Sequence, residues 1–273
     1  MAVRLELRRA TSIPIEVPKL VETALAAAAL AEIERFLVQH GNAPETVGDL
    51  FRVSGSPGGG RIEFLGDCSS VHRIGEAMTT GSVRIDGHAG RHVGAAMRGG
   101  EIEVRGDASD WLGAEMRGGR IRVQGNAGRS AGAAYVGSPV GMRGGEILIT
   151  GDAGDEAGHT MRRGLIAVGG RVGAYAGIDM IAGTVLAFRG CGVRPAAGMR
   201  RGTIAVFADA PEPLPTFRAE GICQPTFLRI YLRHAQRAGM EIDPRWLDDP
   251  YLLISGDHLD GGRGEILVRQ STA

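Results

Sequence analysis

Lysine is almost missing from this sequence. Lys19 stands alone among 31 basic residues, and the rest are arginine. Acidic residues also number 31, so the formal net charge is zero. A neutral chain has no general electrostatic pull on nucleic acid or on an anionic membrane, and neither is expected as a partner. Aromatic residues make up only 5% of the chain. The core must therefore be built from Ile, Val, Leu, Ala and Met. Cysteine is confined to Cys68, Cys191 and Cys223, far apart and without metal-ligand spacing. That pattern fits small buried residues in a reducing cytoplasm, not a disulfide scaffold. Long apolar runs are absent too: the longest, Ala24 to Ala31, is too short to span a bilayer. Arg4, Glu6, Arg8 and Arg9 break up the opening residues, so no secretory leader is expected. Cytoplasmic localisation is the expectation.

Glycine, by contrast, is abundant at 44 residues, and it is placed periodically. Gly81, Gly100 and Gly119 open copies of one 19-residue unit, and so do Gly145, Gly164, Gly183 and Gly202. The interval from Gly119 to Gly145 is 26, and seven extra residues around Tyr135 to Gly141 account for it. An irregular earlier copy opens at Gly60 with two extra residues. Within each copy, apolar residues alternate after the glycine. The pairs are Ile62/Phe64, Val83/Ile85, Ile102/Val104, Ile121/Val123, Ile147/Ile149, Ile166/Val168, Val185/Ala187 and Ile204/Val206. Such alternation marks short half-buried strands. Further glycines follow, and then a methionine at a fixed place: Met97, Met116, Met142, Met161, Met180 and Met199.

A 19-residue unit cannot bury its own apolar face, whereas stacked copies can. The expected fold is all-β: a right-handed parallel β-helix of about seven coils, on the order of 35 Å long, with short α/β capping segments at both ends. Residues 1–55 are expected to form an N-terminal strand and helix cap, with a strand at Val3–Leu7 and one helix over Leu20–Val38 stopped by Gly41. Residues 56–209 form the β-helix. Residues 210–273 form a C-terminal extension, with a helix over Pro225–Ala238 and a final strand returning to the sheet near Gly262–Val268. The prolines at 211, 213 and 215 stop the repeat, because proline removes ladder donors.

The search for chemistry yields little. No GxSxG, HExxH or P-loop is present, and Gly55–Gly60 reads as a plain turn. His88 and His92 are four apart, a metal pair only on a helix. Asp107 and Asp110 read as turn residues bonding their own backbone. Asp107 and Asp152 recur at one place, but His88 and Asn126 occupy it in other copies, against a repeated calcium site. No catalytic, cofactor-binding or metal-binding residue is assigned.

Two surfaces stand out instead. Arg98, Arg117, Arg143, Arg162 and Arg200 each follow the fixed methionine, and stacking places them in one column. Like charges in a column need carboxylates or an anion beside them, so this is either a counter-charged solvated edge or a contact for an acidic partner or polyanion. Outward strand positions also turn apolar in later copies, at Leu165, Leu186, Phe188 and Phe207 among others. Strands apolar on both faces are covered on both. Either the chain's own C-terminal segment or a partner subunit covers these.

The Gly-x-x-x-x-x-Gly-(Asp/Asn)-Ala-Gly copies with Met-Arg-Gly-Gly resemble the C-subunit family of formylmethanofuran dehydrogenase. The same type of domain closes the large subunit of glutamate synthase. The resemblance covers Thr46 to Asp209, and TVGDLFRVSG (Thr46–Gly55) with SGDHLDGGRGEILV (Ser255–Val268) extends it toward the C-subunit type. It implies a non-catalytic structural subunit of a formyltransferase/hydrolase complex, in tetrahydromethanopterin/methanofuran-linked one-carbon (formaldehyde oxidation) metabolism. The implied partners are amidohydrolase-like, transferase and dehydrogenase-B-like subunits of the same complex. The alternative is the C subunit of a molybdenum or tungsten formylmethanofuran dehydrogenase. Zinc in the first case, or a metal pterin in the second, resides on other subunits. The replacement of Lys by Arg favours the bacterial transferase/hydrolase. A glutamate synthase-like domain predicts fusion to a much larger chain, against which the opening Met and both end segments are read. A free-standing β-helix enzyme acting on polysaccharide predicts a secretion signal and many aromatics for sugar stacking. The scarcity of both weighs against it.

Overall fold

The computed structural model describes residues 2–271. Near the N-terminus, β1 (Val3–Leu7) is followed by β2 (Ile15–Glu16), α1 (Leu20–Ala26), α2 (Leu30–Glu34), β3 (Leu37–His40), β4 (Ala43–Thr46), α3 (Val47–Leu50) and β5 (Phe51–Gly55). The repeat supplies β6 (Arg61–Leu65), β7 (Val71–His72), β8 (Ser82–Ile85), β9 (Glu101–Val104), β10 (Arg120–Val123), β11 (Glu146–Ile149), β12 (Leu165–Val168), β13 (Thr184–Ala187) and β14 (Arg201–Val206). The C-terminal part adds β15 (Arg218–Cys223), α4 (Leu228–Arg237), β16 (Tyr251–Gly256) and β17 (Arg263–Arg269). The protein is mostly β, dominated by one 13-stranded sheet.

Each repeat strand pairs in parallel with its equivalent in the next copy. Val83 faces Ile102, Ile102 faces Ile121, Ile147 faces Ile166, and Ile166 faces Val185. Ile121 faces Ile147 across the longer interval, so the seven extra residues leave the register untouched. A slip of one residue would turn every apolar pair outward, and that penalty fixes the register. All eight expected pairs are buried. Met78 and the six expected methionines are fully buried as well. A second parallel ladder runs through Cys68, Ala89, Ala108, Ala127, Ala153, Val172 and Cys191.

At the corners, the chain reaches forward as well as back. His92, Trp111, Ser130, Glu156 and Tyr175 all have left-handed φ between 59° and 65°. Each donates its N–H to a carbonyl in the following copy, His92 to Asp110 and Trp111 to Arg129 for example. Strand residues donate the other way, Glu101 to Gly81 for example. Gly113 is also left-handed, and a Cβ there would lie 2.6 Å from Ile147 Cδ1. Only glycine combines that backbone with that closeness to the core. Ala196 takes the equivalent place in the copy from Gly183, with φ 60°.

Two expectations need correction. The helix over Leu20–Val38 is broken: Ala27 and Ala29 are extended, α1 and α2 are short, and Val38 lies in β3. Val38 is buried in the β4-β3-β2-β7 sheet, and that pairing overrides alanine's helical preference. Gly41 accordingly turns the β3–β4 hairpin instead of stopping a helix. In the C-terminal part, β15 and β16 go beyond the expected helix and final strand. They pair antiparallel, and β16 pairs with β17, which returns parallel to β14. The strand at Val3–Leu7 and the return of the last strand agree with expectation.

Candidate partner-binding surface

The five arginines of the column owe their common direction to the methionines before them. Each methionine points inward and is buried, so the next residue points out. The backbone N–H groups of Arg98, Arg117, Arg143, Arg162 and Arg200 donate to Met78, Met97, Met116, Met142 and Met180 one copy earlier, at 2.7–2.9 Å. That ladder stacks the arginines about 4.8 Å per copy. All five side chains are exposed, and none has an ion pair among the described residues. The column has one gap, where Ile181 replaces arginine.

Several arginines elsewhere on the molecule are paired. Arg84 meets Asp86 at 2.8 Å, Arg73 meets Glu76 at 2.6 Å, and Arg120 bonds Glu146 with Glu101 at 3.6 Å. These partner carboxylates sit on the strand faces and corners, and although Asp179 and Asp260 line a pocket with Arg200, no carboxylate is ion-paired to the column among the described residues. A second arginine column, beyond the one expected, stands beside the first in the later copies: Arg163, Arg201 and Arg263, with Arg201 in register with Arg263. The signal is present in the sequence, since Met-Arg-Arg-Gly occurs at 161–164 and again at 199–202. These arginines line an open cavity of about 810 Å³ beside Tyr231 of α4 and Phe227 just before it.

Leu165, Leu186, Phe188 and Phe207 do not share that surface. They are 5%, 0%, 4% and 1% exposed, covered by this chain's own C-terminal part. Leu228, Leu232 and Ala235 of α4 pack on them, and Trp246 lies 4.7 Å from Phe207 and 5.0 Å from Phe188, ring centre to ring centre. Of the two coverings open to these strands, the chain supplies its own. As interface residues, these four are corrected: a partner meets no exposed side chain there. Phe227 and Ile230 point outward instead, 38% and 71% exposed.

The titratable groups serve the stacking. Asp107 and Asp110 do not bond their own turns, contrary to expectation. Asp107 Oδ1 accepts the N–H of Asn126, and Asp110 Oδ1 accepts that of Arg129, each one copy on. Asn126 accepts from Asp152 and Asp152 from Arg171 in the same way. His72 Nδ1 and His88 Nδ1 do likewise for Arg91 and Asp107. Thus His88, Asp107, Asn126 and Asp152 are interchangeable acceptors at one place of the repeat, which explains why that residue varies, and His72 and Asp110 act alike at a second place.

His88 and His92 lie apart in role. His92 Nδ1 is 2.9 Å from Tyr135 Oη, and its ring stacks near Trp111. Burial holds the His92 and His72 imidazoles below their ordinary pKa, with nearby arginines adding to it. Burial pushes the Tyr135 phenol up to about 12. It does the same to the Cys68 and Cys191 thiols, so neither is a ready nucleophile. Among the described residues, no group of three His, Cys, Asp or Glu could hold a metal ion. No helix among them is long and apolar enough to cross a membrane.

Residues 67–219 match the GXGXG motif family, so the repeat is of the GXGXG type. A stretch of 85 residues is 33% identical to the C subunit of tungsten-containing formylmethanofuran dehydrogenase 2 of Methanothermobacter thermautotrophicus, covering 30% of this chain and 32% of that protein. This chain thus matches about a third of that relative's length. The protein of the same name from Methanococcus maripaludis is 44% identical over 258 residues, covering 94% of this chain and 92% of the relative. The chain belongs to the C-subunit family of formylmethanofuran dehydrogenase. Its structure is also similar to a chain in the crystal structure of the formyltransferase/hydrolase complex of Methylorubrum extorquens with methylofuran. The TM-score is 0.90 and the identity 31%, over 98% of this chain and all of that one.

Proposed function

We propose that this chain is the non-catalytic structural subunit of a formyltransferase/hydrolase complex in tetrahydromethanopterin/methanofuran-linked one-carbon (formaldehyde oxidation) metabolism. The observation that carries this reading is the end-to-end likeness to a chain of such a complex. The exposed, unpaired arginine column supports it, because a column of like charge is stabilised by a partner's carboxylates. In this reading the repeats wind as coils of a right-handed parallel β-helix over residues 56–209, capped by residues 1–55 and by the extension 210–273. Its partners are amidohydrolase-like, transferase and dehydrogenase-B-like subunits, and it works in the cytoplasm. Zinc and the reacting groups reside on those subunits, with no cofactor on this one.

A second reading, the C subunit of a tungsten or molybdenum formylmethanofuran dehydrogenase, is favoured by the near full-length identity to the Methanococcus maripaludis protein. Tagged purification from the native host, with mass spectrometry and metal analysis, separates the two. Zinc with transferase and amidohydrolase subunits supports the first reading. Molybdenum or tungsten with iron–sulfur proteins supports the second. Recovery of this chain alone overturns both. Charge reversal at Arg117 and Arg143 (Arg117→Glu with Arg143→Glu) is expected to weaken complex assembly about tenfold or more without altering folding. Unchanged assembly would remove the arginine column from the docking role.

A further inference from the structure

The cavity beside the second arginine column is continuous with another. The first, about 810 Å³, is lined by Arg163, Arg201, Arg263 and Tyr231 among others. The second, about 500 Å³, is lined by Ile230, Tyr231 and His234 on one side and by Gly119, Gly145 and Gly164 on the other. Both include Arg163, Gly164 and Tyr231. Together they make one groove along the stacking direction, floored by the glycines that open successive copies. One wall is arginine, and the other is the outer side of α4.

The charge in this groove is unbalanced. Two carboxylates line it, Glu265 and Glu146, and both are engaged: Glu265 accepts from Thr203 Oγ1 at 2.6 Å, and Glu146 bonds Arg120 and His234. None of Arg162, Arg163, Arg200, Arg201 or Arg263 has an ion pair among the described residues. The copy between the two Arg-Arg pairs carries Ile181 and Ala182 instead, so the arginine wall has a notch between Arg162/Arg163 and Arg200/Arg201. The two pairs are two ladder steps apart, about 9.6 Å. The facing wall exposes Phe227 at 38% and Ile230 at 71%, both apolar. A small anion has no use for that apolar wall. A strand does, because its side chains alternate between two directions.

We infer that this groove binds an extended segment of a partner subunit whose side chains alternate between acidic and apolar, carboxylates toward Arg163, Arg201 and Arg263 and apolar groups toward Phe227 and Ile230. Arginine beside exposed aromatic and aliphatic groups is the composition from which interface anchors are made. The inference rests on the complex membership proposed above.

The test uses the complex purified from its native host with p-benzoylphenylalanine in place of Ile230. After irradiation, mass spectrometry identifies the cross-linked peptide. The expected product joins Ile230's position to a segment of another subunit rich in Asp or Glu. Arg201→Glu with Arg263→Glu should lower its yield about tenfold. Arg9→Glu, exposed and outside both the groove and the arginine columns, should leave the yield unchanged. Arg201→Gln with Arg263→Gln keeps the bulk and removes the charge, and should give an intermediate loss. A cross-link to a neutral or basic segment, to a second copy of this chain or to a small polycarboxylate overturns the inference. So does an intact complex with no cross-link. If this chain purifies alone, the complex reading itself has failed, which is a separate result.

Discussion

Strands β8 to β10 and strands β11 to β13 share one register and one buried inner face, yet their outer faces differ beyond Glu146, which still pairs with Arg120 at the boundary. The early strands carry Arg84, Glu101, Glu103, Arg120 and Arg122 outward, and these remain at least partly exposed. The later strands carry Leu148, Leu165, Ala167, Leu186 and, in β14, Ala205, all buried beneath α4 and the segment around Trp246. Arg122 marks the seam, donating to the carbonyls of Ala238 and Gly239 just past the end of α4. The inner face decides that the copies stack. The outer face decides where the rest of the chain can lie.

The sharpest way to break this comparison is to exchange the two kinds of outer residue. Leu186→Asp buries a carboxylate among Leu165, Phe207 and Leu232, with no partner for its charge. It should cost about 4 kcal/mol or more and detach the C-terminal part. Glu103→Leu, at the corresponding place on an early strand, should change stability by about 0.5 kcal/mol or less. Urea unfolding curves of the two variants test both, and equal effects would refute the division.

The inner corners allow a second contrast. Gly113→Ala forces a Cβ toward Ile147 Cδ1 in a left-handed turn and should cost about 2–3 kcal/mol. Ala196→Gly at the equivalent place relieves a left-handed alanine but frees the unfolded chain. It should therefore stabilise by about 1 kcal/mol at most. Denaturant midpoints decide the signs. Asp152→Ala removes the acceptor for the Arg171 N–H and should cost about 1 kcal/mol. Asp152→Asn, the residue found one copy earlier, should restore most of it. Loss in both variants would mean that charge, not the accepted hydrogen bond, matters there.

The smallest effect is expected with pH. His72 and His92 have folded pKa values below those of the unfolded chain, so folding favours their neutral forms. Their contribution is fully present above the unfolded value near 6.5 and is lost as pH falls through the lower folded values. Protonation also ends the acceptance of the Arg91 N–H by His72 Nδ1. Thermal unfolding should shift down by about 2 °C between pH 7.5 and pH 5 on this account, and His72→Asn should flatten that slope. A slope unchanged in the variant would assign the titration elsewhere.

Much of this arrangement is legible in the sequence. Glycine spacing, the paired β-branched residues and the fixed methionine give period, strand and inner face together, since each follows from one repeated backbone path. The ends are harder. The run Leu20–Val38 has helical composition, yet β3 is held by pairing with strands that precede and follow it. Tyr251-Leu-Leu-Ile carries a strand signal that an isolated, non-repeating segment does not make obvious. The left-handed His92, Trp111 and Tyr175 are hidden from sequence reasoning, because the hydrogen bonds that hold them come from the next copy and not from their neighbours. For the same reason, Asp107 resembles a local turn residue. The arginine column is readable from Met-Arg, but its freedom from ion pairs depends on where every carboxylate lies. The groove depends further on α4, which the repeat does not encode.

Because Ile121 and Ile147 stay in register across 26 residues, length along the stack is set by the number of copies and not by the number of residues. Side loops can grow without lengthening it, while gain or loss of a whole unit shifts everything beyond by one step of about 4.8 Å. The molecule is therefore a ruler with discrete marks. Evolution can change the separation of whatever sits at its two ends only in whole increments, leaving every lateral contact of the retained units as it was.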